Sequence, residues 1–183
     1  MKFNEAQQNM QYSYFNGSLG VFISGIVWCI AGGVAIFSSN FHSMLALFFG
    51  GMFIHPLSIL LAKALKRPGK HKATNPLGNL AIETTVILFV GLFLAFYVAK
   101  LKVEWFYPVM LLTIGVRYLM FNTLYGNKLY WILGASLMAS GIGLILLEFS
   151  FVVGAFLGGI IEIAFSLIIF NQTIFSRQKA HLS

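Results

Sequence analysis

Residues 150–172 read SFVVGAFLGGIIEIAFSLIIFNQ, and this stretch decides the fold class of the chain. It contains one charged side chain, Glu162, among apolar, small and uncharged polar residues. An α-helix needs about 20 mostly apolar residues to cross the hydrocarbon core of a bilayer. The stretch shows no alternation of period two, and backbone groups in lipid must be paired within the segment, so we predict a membrane-spanning helix.

Five further stretches of similar length and composition lie upstream. They are residues 17–38, 41–64, 79–99, 105–124 and 129–147. The composition of the whole chain agrees with them, because 58% of its 183 residues are apolar and 9% are charged. An average soluble domain has roughly 25% charged residues. We therefore predict an all-α, polytopic transmembrane bundle of six helices.

The six spans also set the organisation of the chain. The expected parts are an N-terminal cytoplasmic or interfacial segment (1–16), the transmembrane domain (17–172) and a cytoplasmic tail (173–183). Short connections predict that spans one and two form a helical hairpin, as do spans five and six. The sizeable loop covers about residues 66–78, where Asn75 is placed to cap span three and Pro76 to occupy its first turn.

Basic residues predict the orientation of the bundle. If the N-terminus lies inside, the cytoplasmic side receives Lys2, Lys63, Lys66, Arg67, Lys70, Lys72, Lys128, Arg177 and Lys179. The outer side receives Lys100 and Lys102. Because Lys and Arg accumulate in cytoplasmic loops, we predict that both termini are cytoplasmic.

Several classes of protein are not expected. The net charge of +7 follows from the basic residues that flank the spans, so it does not indicate nucleic-acid binding. The single cysteine, Cys29, excludes an internal disulfide and a cysteine-cluster metal site, and the first residues are not typical of a cleavable signal peptide. Zinc, phosphate-loop and nucleophile-elbow motifs are missing, so we predict no cofactor, no metal and no catalytic residue.

An ungapped shift of 108 residues lays the first hairpin on the last, with Gly50-Gly51 matching Gly158-Gly159. Apolar segments also match by chance, so a duplication and a coincidence both stay open. Small residues let membrane helices approach closely, so we predict that spans two and six pack tightly through these pairs. Gly115 is the comparable glycine in span four.

Four ionisable residues fall inside the predicted spans: His55, Glu83, Arg117 and Glu162. A charged side chain near the middle of a membrane costs at least about 2.5–3.5 kcal/mol, so each needs a partner or a function. Their positions in the spans predict similar depths, from the midplane to the cytoplasmic half. They are therefore candidates for one inward-facing polar pocket that binds an ion or a polar solute.

Structural interpretations stand beside this functional one. Arg117 with Glu162 or Glu83 is equally explained as a buried ion pair that fixes the helix arrangement. His55 precedes Pro56 and is a candidate partner for backbone groups that the proline leaves unpaired. Asn79 and Glu83 lie four residues apart, which is the spacing of a hydrogen-bonded pair on one helix face.

Residues 115–134, GVRYLMFNTLYGNKLYWILG, resemble a block found in a family of small bacterial membrane proteins of unknown function. Residues 75–80, NPLGNL, and 56–63, PLSILLAK, are similar to segments that flank its loop, and the likeness covers residues 17–147. The resemblance implies a multi-pass protein of the bacterial inner membrane and supplies no catalytic residue. It directs attention to Arg117, Tyr118 and the pair Tyr125-Gly126. The supporting residues that we predict around the polar pocket are Asn79, Tyr118 and Asn122.

The leading functional hypothesis is a small transporter or channel-like protein. Its expected partners are the lipid bilayer, a small ion or polar solute and further copies of itself in a homo-oligomer. The alternative is a membrane scaffold or accessory subunit that transports nothing and in which the buried charges are structural. An intramembrane enzyme is the least favoured interpretation, because no nucleophile or metal motif accompanies His55.

Overall fold

A computed structural model describes the backbone of residues 1–182 and the side chains of residues 1–175. This part of the chain is helical and contains no strand. The helices are α1 (Phe3–Tyr14), α2 (Ser18–Phe37), α3 (Asn40–Ala64), α4 (Leu77–Ala99), α5 (Phe106–Tyr125), α6 (Leu129–Leu146) and α7 (Phe151–Leu182). Short 3₁₀ turns, Phe15–Gly17 and Val103–Trp105, precede α2 and α5.

Helices α2 to α6 begin and end close to the first five predicted spans, and α7 begins at the sixth and continues past its end, so the all-helical architecture is confirmed. Five helical segments are long and apolar enough to cross a membrane: Phe3–Phe37, which joins α1 and α2, and α3, α4, α6 and the Phe151–Phe175 part of α7. Helix α5 is not among them. It carries Arg117, Asn122 and several tyrosines, and its long row of buried residues places it inside the bundle. The predicted tail is not a separate segment, because α7 continues to Leu182; the side chains of Arg177 and Lys179 lie outside the described residues.

The largest interfaces of the bundle are α5 with α6, α2 with α7, α2 with α3, and α4 with α5. The predicted hairpin of spans one and two is therefore confirmed, and α6 also contacts α7. Helices α3 and α4 lie at the periphery, since each packs mainly on one neighbour and exposes a wide apolar face.

The prediction that spans two and six pack tightly together is wrong, because α3 and the described part of α7 share no substantial interface. Gly50 on α3 and Gly158 on α7 both face α2 instead. A methyl group on Gly50 would meet the side chain of Val27, and one on Gly158 would meet the ring of Trp28. Gly51 faces open space, with no atom within 4 Å of such a methyl group.

Glycines do form two close helix crossings. Gly25 on α2 faces Gly159 on α7, and a methyl group on either would lie 2.8 Å from the carbonyl oxygen of the other. Gly115 on α5 faces Gly134 on α6 in the same way, at 2.8 and 2.6 Å. Because no side chain separates the helices at these points, the backbones approach closely.

Helix α1 closes the bundle at the end where α5 finishes and α6 begins. Gln7 Nε2 donates to the carbonyl oxygen of Thr123 at 2.8 Å, and Gln11 Nε2 donates to that of Tyr125 at 2.6 Å. The last carbonyl groups of a helix have no partner within it, so these two amides cap α5 from another helix.

The loop between α3 and α4 is held against the same helix. Asn75 Oδ1 accepts a hydrogen bond from the Leu77 amide at 3.0 Å, so the predicted capping role of Asn75 is confirmed. Pro76 lies just before the first helical residue, in place of the expected first turn. The amide nitrogen of Asn75 donates to the Ala6 carbonyl at 2.9 Å and thereby attaches the start of α4 to α1.

Candidate functional site

The candidate site is centred on Glu162 of α7, whose side chain is 1% exposed. The hydroxyl group of Tyr118, on α5, donates to Glu162 Oε1 at 2.7 Å. The hydroxyl group of Ser24, on α2, faces the same carboxyl group. Among the described side chains, none forms a hydrogen bond with Glu162 Oε2. The carboxyl group is therefore enclosed by three helices and only half of its oxygen atoms have a partner.

The glycine crossing explains why Glu162 is buried. Gly25 and Gly159 bring α2 and α7 together, and Ser24 is the residue next to Gly25. Glu162 follows Gly159 by three residues, which places it on nearly the same face of α7 about one helical turn further on. Its side chain therefore points into the space between α2 and α5.

A cluster of aromatic rings fixes the position of Tyr118. Its ring contacts those of Phe121 and Tyr130, with centroids 5.2 and 5.9 Å apart. The hydroxyl group of Tyr130 in turn donates to the carbonyl oxygen of Asn16, in the turn before α2. Because these contacts restrict the Tyr118 ring, its hydroxyl group remains directed at Glu162.

Arg117, the neighbouring residue on α5, does not form the predicted ion pair. Among the described side chains, the one ion pair within 4.0 Å is between Lys102 and Glu148, at the opposite end of the bundle. The Arg117 guanidinium instead lies over the ring of Phe121, 5.2 Å from its centroid, and its buried Nε has no hydrogen-bond partner among the described residues. No nitrogen atom of Arg117 lies within 4.0 Å of a Glu162 oxygen atom.

The structure does not bring the other two ionisable residues to this cluster. His55 and Glu83 are exposed, on the peripheral helices α3 and α4. Asn79 is exposed as well, and the described contacts include no hydrogen bond between Asn79 and Glu83. The His55 carbonyl accepts a hydrogen bond from the Ser58 hydroxyl at 2.8 Å, so a backbone group near Pro56 is satisfied by serine. The cluster therefore contains two of the four predicted ionisable groups.

Of the predicted supporting residues, Tyr118 is a direct partner of Glu162 and Asn122 is not. Asn122 is half-buried near the end of α5, where its carbonyl oxygen accepts a hydrogen bond from Gly126. Ser24 was not predicted, although a hydroxyl group beside a glycine in an apolar span is a weak signal for a polar contact at a close helix crossing. The described residues contain no group of three or more His, Cys, Asp or Glu side chains suited to a metal ion.

A family model matches residues 3–172 and describes a family of unknown function, DUF7010. The chain belongs to the DUF7010 family. The match includes every residue of the Glu162 cluster and all the helices from α1 to most of α7. The predicted resemblance to an uncharacterised family is confirmed, and membership in DUF7010 extends it over the N-terminal helix. No curated protein and no solved structure matches this DUF7010 member.

Proposed function

We propose that this chain is a small proton-coupled membrane transporter in which Glu162 binds and releases the coupling proton. The observation that supports this proposal is the environment of the carboxyl group. One oxygen accepts a hydrogen bond from Tyr118, and the other has no partner among the described side chains. Among the described side chains, no cation lies within 4.0 Å of the carboxylate to neutralise it.

The cost of charge in a low dielectric supports proton binding at this position. An ionised carboxylate without a cationic partner is strongly destabilised away from water, whereas the protonated form carries no charge. The carboxyl group therefore favours its protonated form when enclosed and loses the proton when water or a cation reaches it. Intramembrane carboxyl groups in pumps and transporters commonly carry protons in this way.

Arg117 supplies a response to the loss of the proton. Its buried Nε has no hydrogen-bond partner in the described part of the chain, and its guanidinium lies over the Phe121 ring, which is a weak contact compared with an ion pair. Deprotonation of Glu162 creates a negative charge that attracts this guanidinium. A shift of Arg117 from Phe121 towards Glu162 would move α5 relative to α7 and so couple protonation to helix position.

We further propose that the chain crosses the membrane six times, with α5 as the sixth span and both termini in the cytoplasm. Helix α5 is 20 residues long, or about 30 Å, and its three tyrosines, Tyr107, Tyr118 and Tyr125, are buried against its neighbours. The basic residues support the orientation, because Lys63, Lys66, Arg67, Lys70 and Lys72 all lie at the α3–α4 end of the bundle. We propose the inner membrane of a bacterium as its location, and a small ion or polar solute as the transported species.

The second candidate function is a structural one, a membrane scaffold or accessory subunit. The Gly25–Gly159 and Gly115–Gly134 crossings favour it, because they hold α2, α5, α6 and α7 in close contact around the carboxyl group. In that case Glu162 and Tyr118 fix the helix arrangement and no proton is exchanged.

Proton flux into liposomes separates the two functions. The purified chain is reconstituted with an entrapped pH-sensitive dye, and uptake of protons is followed after a pH gradient is imposed. We expect proton flux with the native chain and loss of that flux with Glu162→Gln. Glu83→Gln is the control, because it makes the same replacement of a carboxylate by an amide at an exposed position, and it should keep the native flux. Absence of flux with the native chain, or full flux with Glu162→Gln, would contradict the transporter and favour the scaffold.

A further inference from the structure

An apolar groove of about 180 Å³ lies on the surface of the bundle between α2, α3 and α7, away from Glu162. Its lining includes Leu19, Phe22, Leu61, Leu65, Leu167 and Phe170. These residues come from the first turns of α2, the last turns of α3 and the facing part of α7, so the groove lies at the end where the α3–α4 loop begins. An apolar cavity of roughly 150 Å³ stays dry and holds an apolar ligand, so this groove is large enough for hydrocarbon.

The two serines in the lining do not make the groove polar. The Ser18 hydroxyl donates to the carbonyl oxygen of Phe15 at 2.8 Å, and the Ser166 hydroxyl donates to that of Ile163 at 2.7 Å. Each hydroxyl group therefore donates its proton to a carbonyl group three residues earlier in the chain and has no proton left for a ligand in the groove. The surface that remains accessible in the groove is apolar, which fits an alkyl chain better than a polar solute.

The groove opens sideways on the bundle. Leu65 and Leu167 line it and are 40% and 51% exposed. On a membrane protein, this exposed rim faces the acyl chains of the surrounding bilayer. A lipid chain can therefore enter laterally without crossing a polar barrier.

Two basic residues follow Leu65 directly at the end of the groove. Helix α3 ends in a Schellman motif, in which Arg67 N donates to the Ala62 carbonyl and Lys66 N to the Lys63 carbonyl, both at 2.9 Å. Lys66 occupies the left-handed position of this motif, with φ of 58°. Glycine is the favoured residue there, since it has no Cβ to strain the backbone. A glycine can therefore replace Lys66 without straining the end of α3.

Arg67 connects the basic end to the wall of the groove. Its guanidinium carbon lies 4.4 Å from the centroid of the Tyr12 ring and 5.1 Å from that of Phe15. Phe15 stacks on Phe170, with centroids 5.4 Å apart, and Phe170 lines the groove. The Phe15 ring therefore lies between the Arg67 guanidinium and Phe170 in the wall of the groove. The planar N–H donors of the guanidinium suit a phosphate group.

We propose that this groove binds one acyl chain of an anionic phospholipid, whose headgroup phosphate is held by Lys66 and Arg67. An apolar slot and a basic end, adjacent to each other, match the two parts of such a lipid. Basic residues beside a membrane helix attract anionic lipids by about 1 kcal/mol for each Lys or Arg. A zwitterionic phospholipid carries no net charge and should bind less tightly.

Native mass spectrometry of the full chain in detergent tests the proposal with phosphatidylglycerol as the probe. We expect retention of one phosphatidylglycerol in preference to phosphatidylcholine. Lys66→Gly should weaken its binding about fivefold, the factor that corresponds to one basic charge, and should not impair folding because glycine suits the left-handed position. The matched control is Glu148→Gly, because Glu148 has φ of 51° at the end of α6, on the opposite side of the bundle.

The apolar part of the site has its own pair of variants. Leu167→Trp places a bulky ring at the rim of the groove and should abolish retention of the lipid. Ile168→Trp is its control, since Ile168 is equally exposed at 51% and is not among the lining residues. Three outcomes would overturn the proposal. The native chain could retain phosphatidylglycerol and phosphatidylcholine equally, or bind free glycerol 3-phosphate as tightly as phosphatidylglycerol. Leu167→Trp could also bind phosphatidylglycerol with the native affinity.

Discussion

Gly25 and Gly159 lie in direct backbone contact, since a methyl group on either would be 2.8 Å from the carbonyl oxygen of the other. This contact joins α2 to α7 immediately beside Ser24 and one helical turn from Glu162. The close crossing therefore decides which side chains surround the carboxyl group. Without it, Glu162 would be separated from α2 by a layer of side chains.

Replacement of Gly159 by alanine should destabilise the bundle. The added methyl group would also lie 2.6 Å from Cys29 Sγ, so the two helices must separate. Overpacking of this kind typically costs 1–3 kcal/mol. Thermal unfolding of the purified chain measures the effect. Gly51→Ala is the control, since its methyl group would meet no atom within 4 Å; an equal loss of stability in both variants would contradict the close crossing.

Removal of the Tyr118 hydroxyl group should destabilise the chain, because Glu162 Oε1 loses the donor that lies 2.7 Å away. We expect Tyr118→Phe to lower the free energy of unfolding by about 1–3 kcal/mol, the usual cost of an unsatisfied buried polar group. Tyr97→Phe removes a hydroxyl group from a tyrosine that is 60% exposed and should have little effect.

A double-mutant cycle isolates the contribution of the hydrogen bond itself. Tyr118→Phe and Glu162→Leu, which removes the acceptor oxygen atoms, are measured singly and together by the same unfolding assay. Hydrogen bonds between membrane helices average about 0.6 kcal/mol and reach about 1.7 kcal/mol, and we expect coupling within that range. Strict additivity of the two substitutions would show that the two side chains do not interact.

Two of the three glutamines of α1, Gln7 and Gln11, should control how firmly this helix docks on the bundle. Gln7 and Gln11 donate to carbonyl groups near the end of α5. Replacement of Gln11 by leucine removes one of these bonds and should increase hydrogen exchange throughout α1. Gln8→Leu is the control because Gln8 is exposed, and faster exchange in both variants would argue against capping of α5 by α1.

Acidic pH should weaken the contact between the α3–α4 loop and α1. Burial lowers the pKa of His71, and the nearby charges of His55 and Lys70 lower it further. His71 Nδ1 lies 2.9 Å from the Tyr14 hydroxyl oxygen. Because an unfolded histidine has a pKa of about 6.5, the stability due to neutral His71 is present above that pH. It is lost as the pH falls from about 6.5 towards the lowered pKa.

Melting temperatures at several pH values between about 5.5 and 7.5 test this prediction. His71→Gln should show a smaller fall in melting temperature on acidification than the native chain. His42→Gln, which changes an exposed histidine, should retain the native pH dependence. The same fall in the native chain and in His71→Gln would exclude His71 as the cause.

The sequence predicts the positions of the helices well because each span is a long apolar run with short polar connections. It also identifies Arg117 and Glu162, since a charge inside an apolar run is conspicuous whatever the surrounding fold. The ends of an apolar run mark the ends of its helix, and residue numbers give the position of each side chain between those ends. The ends of α2 to α6 therefore agree with the predicted spans to within two residues.

The face on which a residue lies is harder to predict in such a chain. A soluble helix shows its buried face by an apolar stripe, whereas a span that is apolar all round shows none. Depth along the spans therefore groups His55 and Glu83 with Glu162, although they lie on exposed faces. For the same reason the sequence does not single out Ser24, and it matches Gly50 with Gly158 although both face α2.

Infrared difference spectroscopy tests most directly whether Glu162 binds and releases a proton. The chain in lipid bilayers is titrated with alkali while the carbonyl band of protonated carboxylic acids is followed. The proposal predicts a protonated band that is lost as the pH rises and is absent in Glu162→Gln, with Glu83→Gln like the native chain. An unchanged band in Glu162→Gln, or no protonated carboxyl group at any pH used, would contradict it.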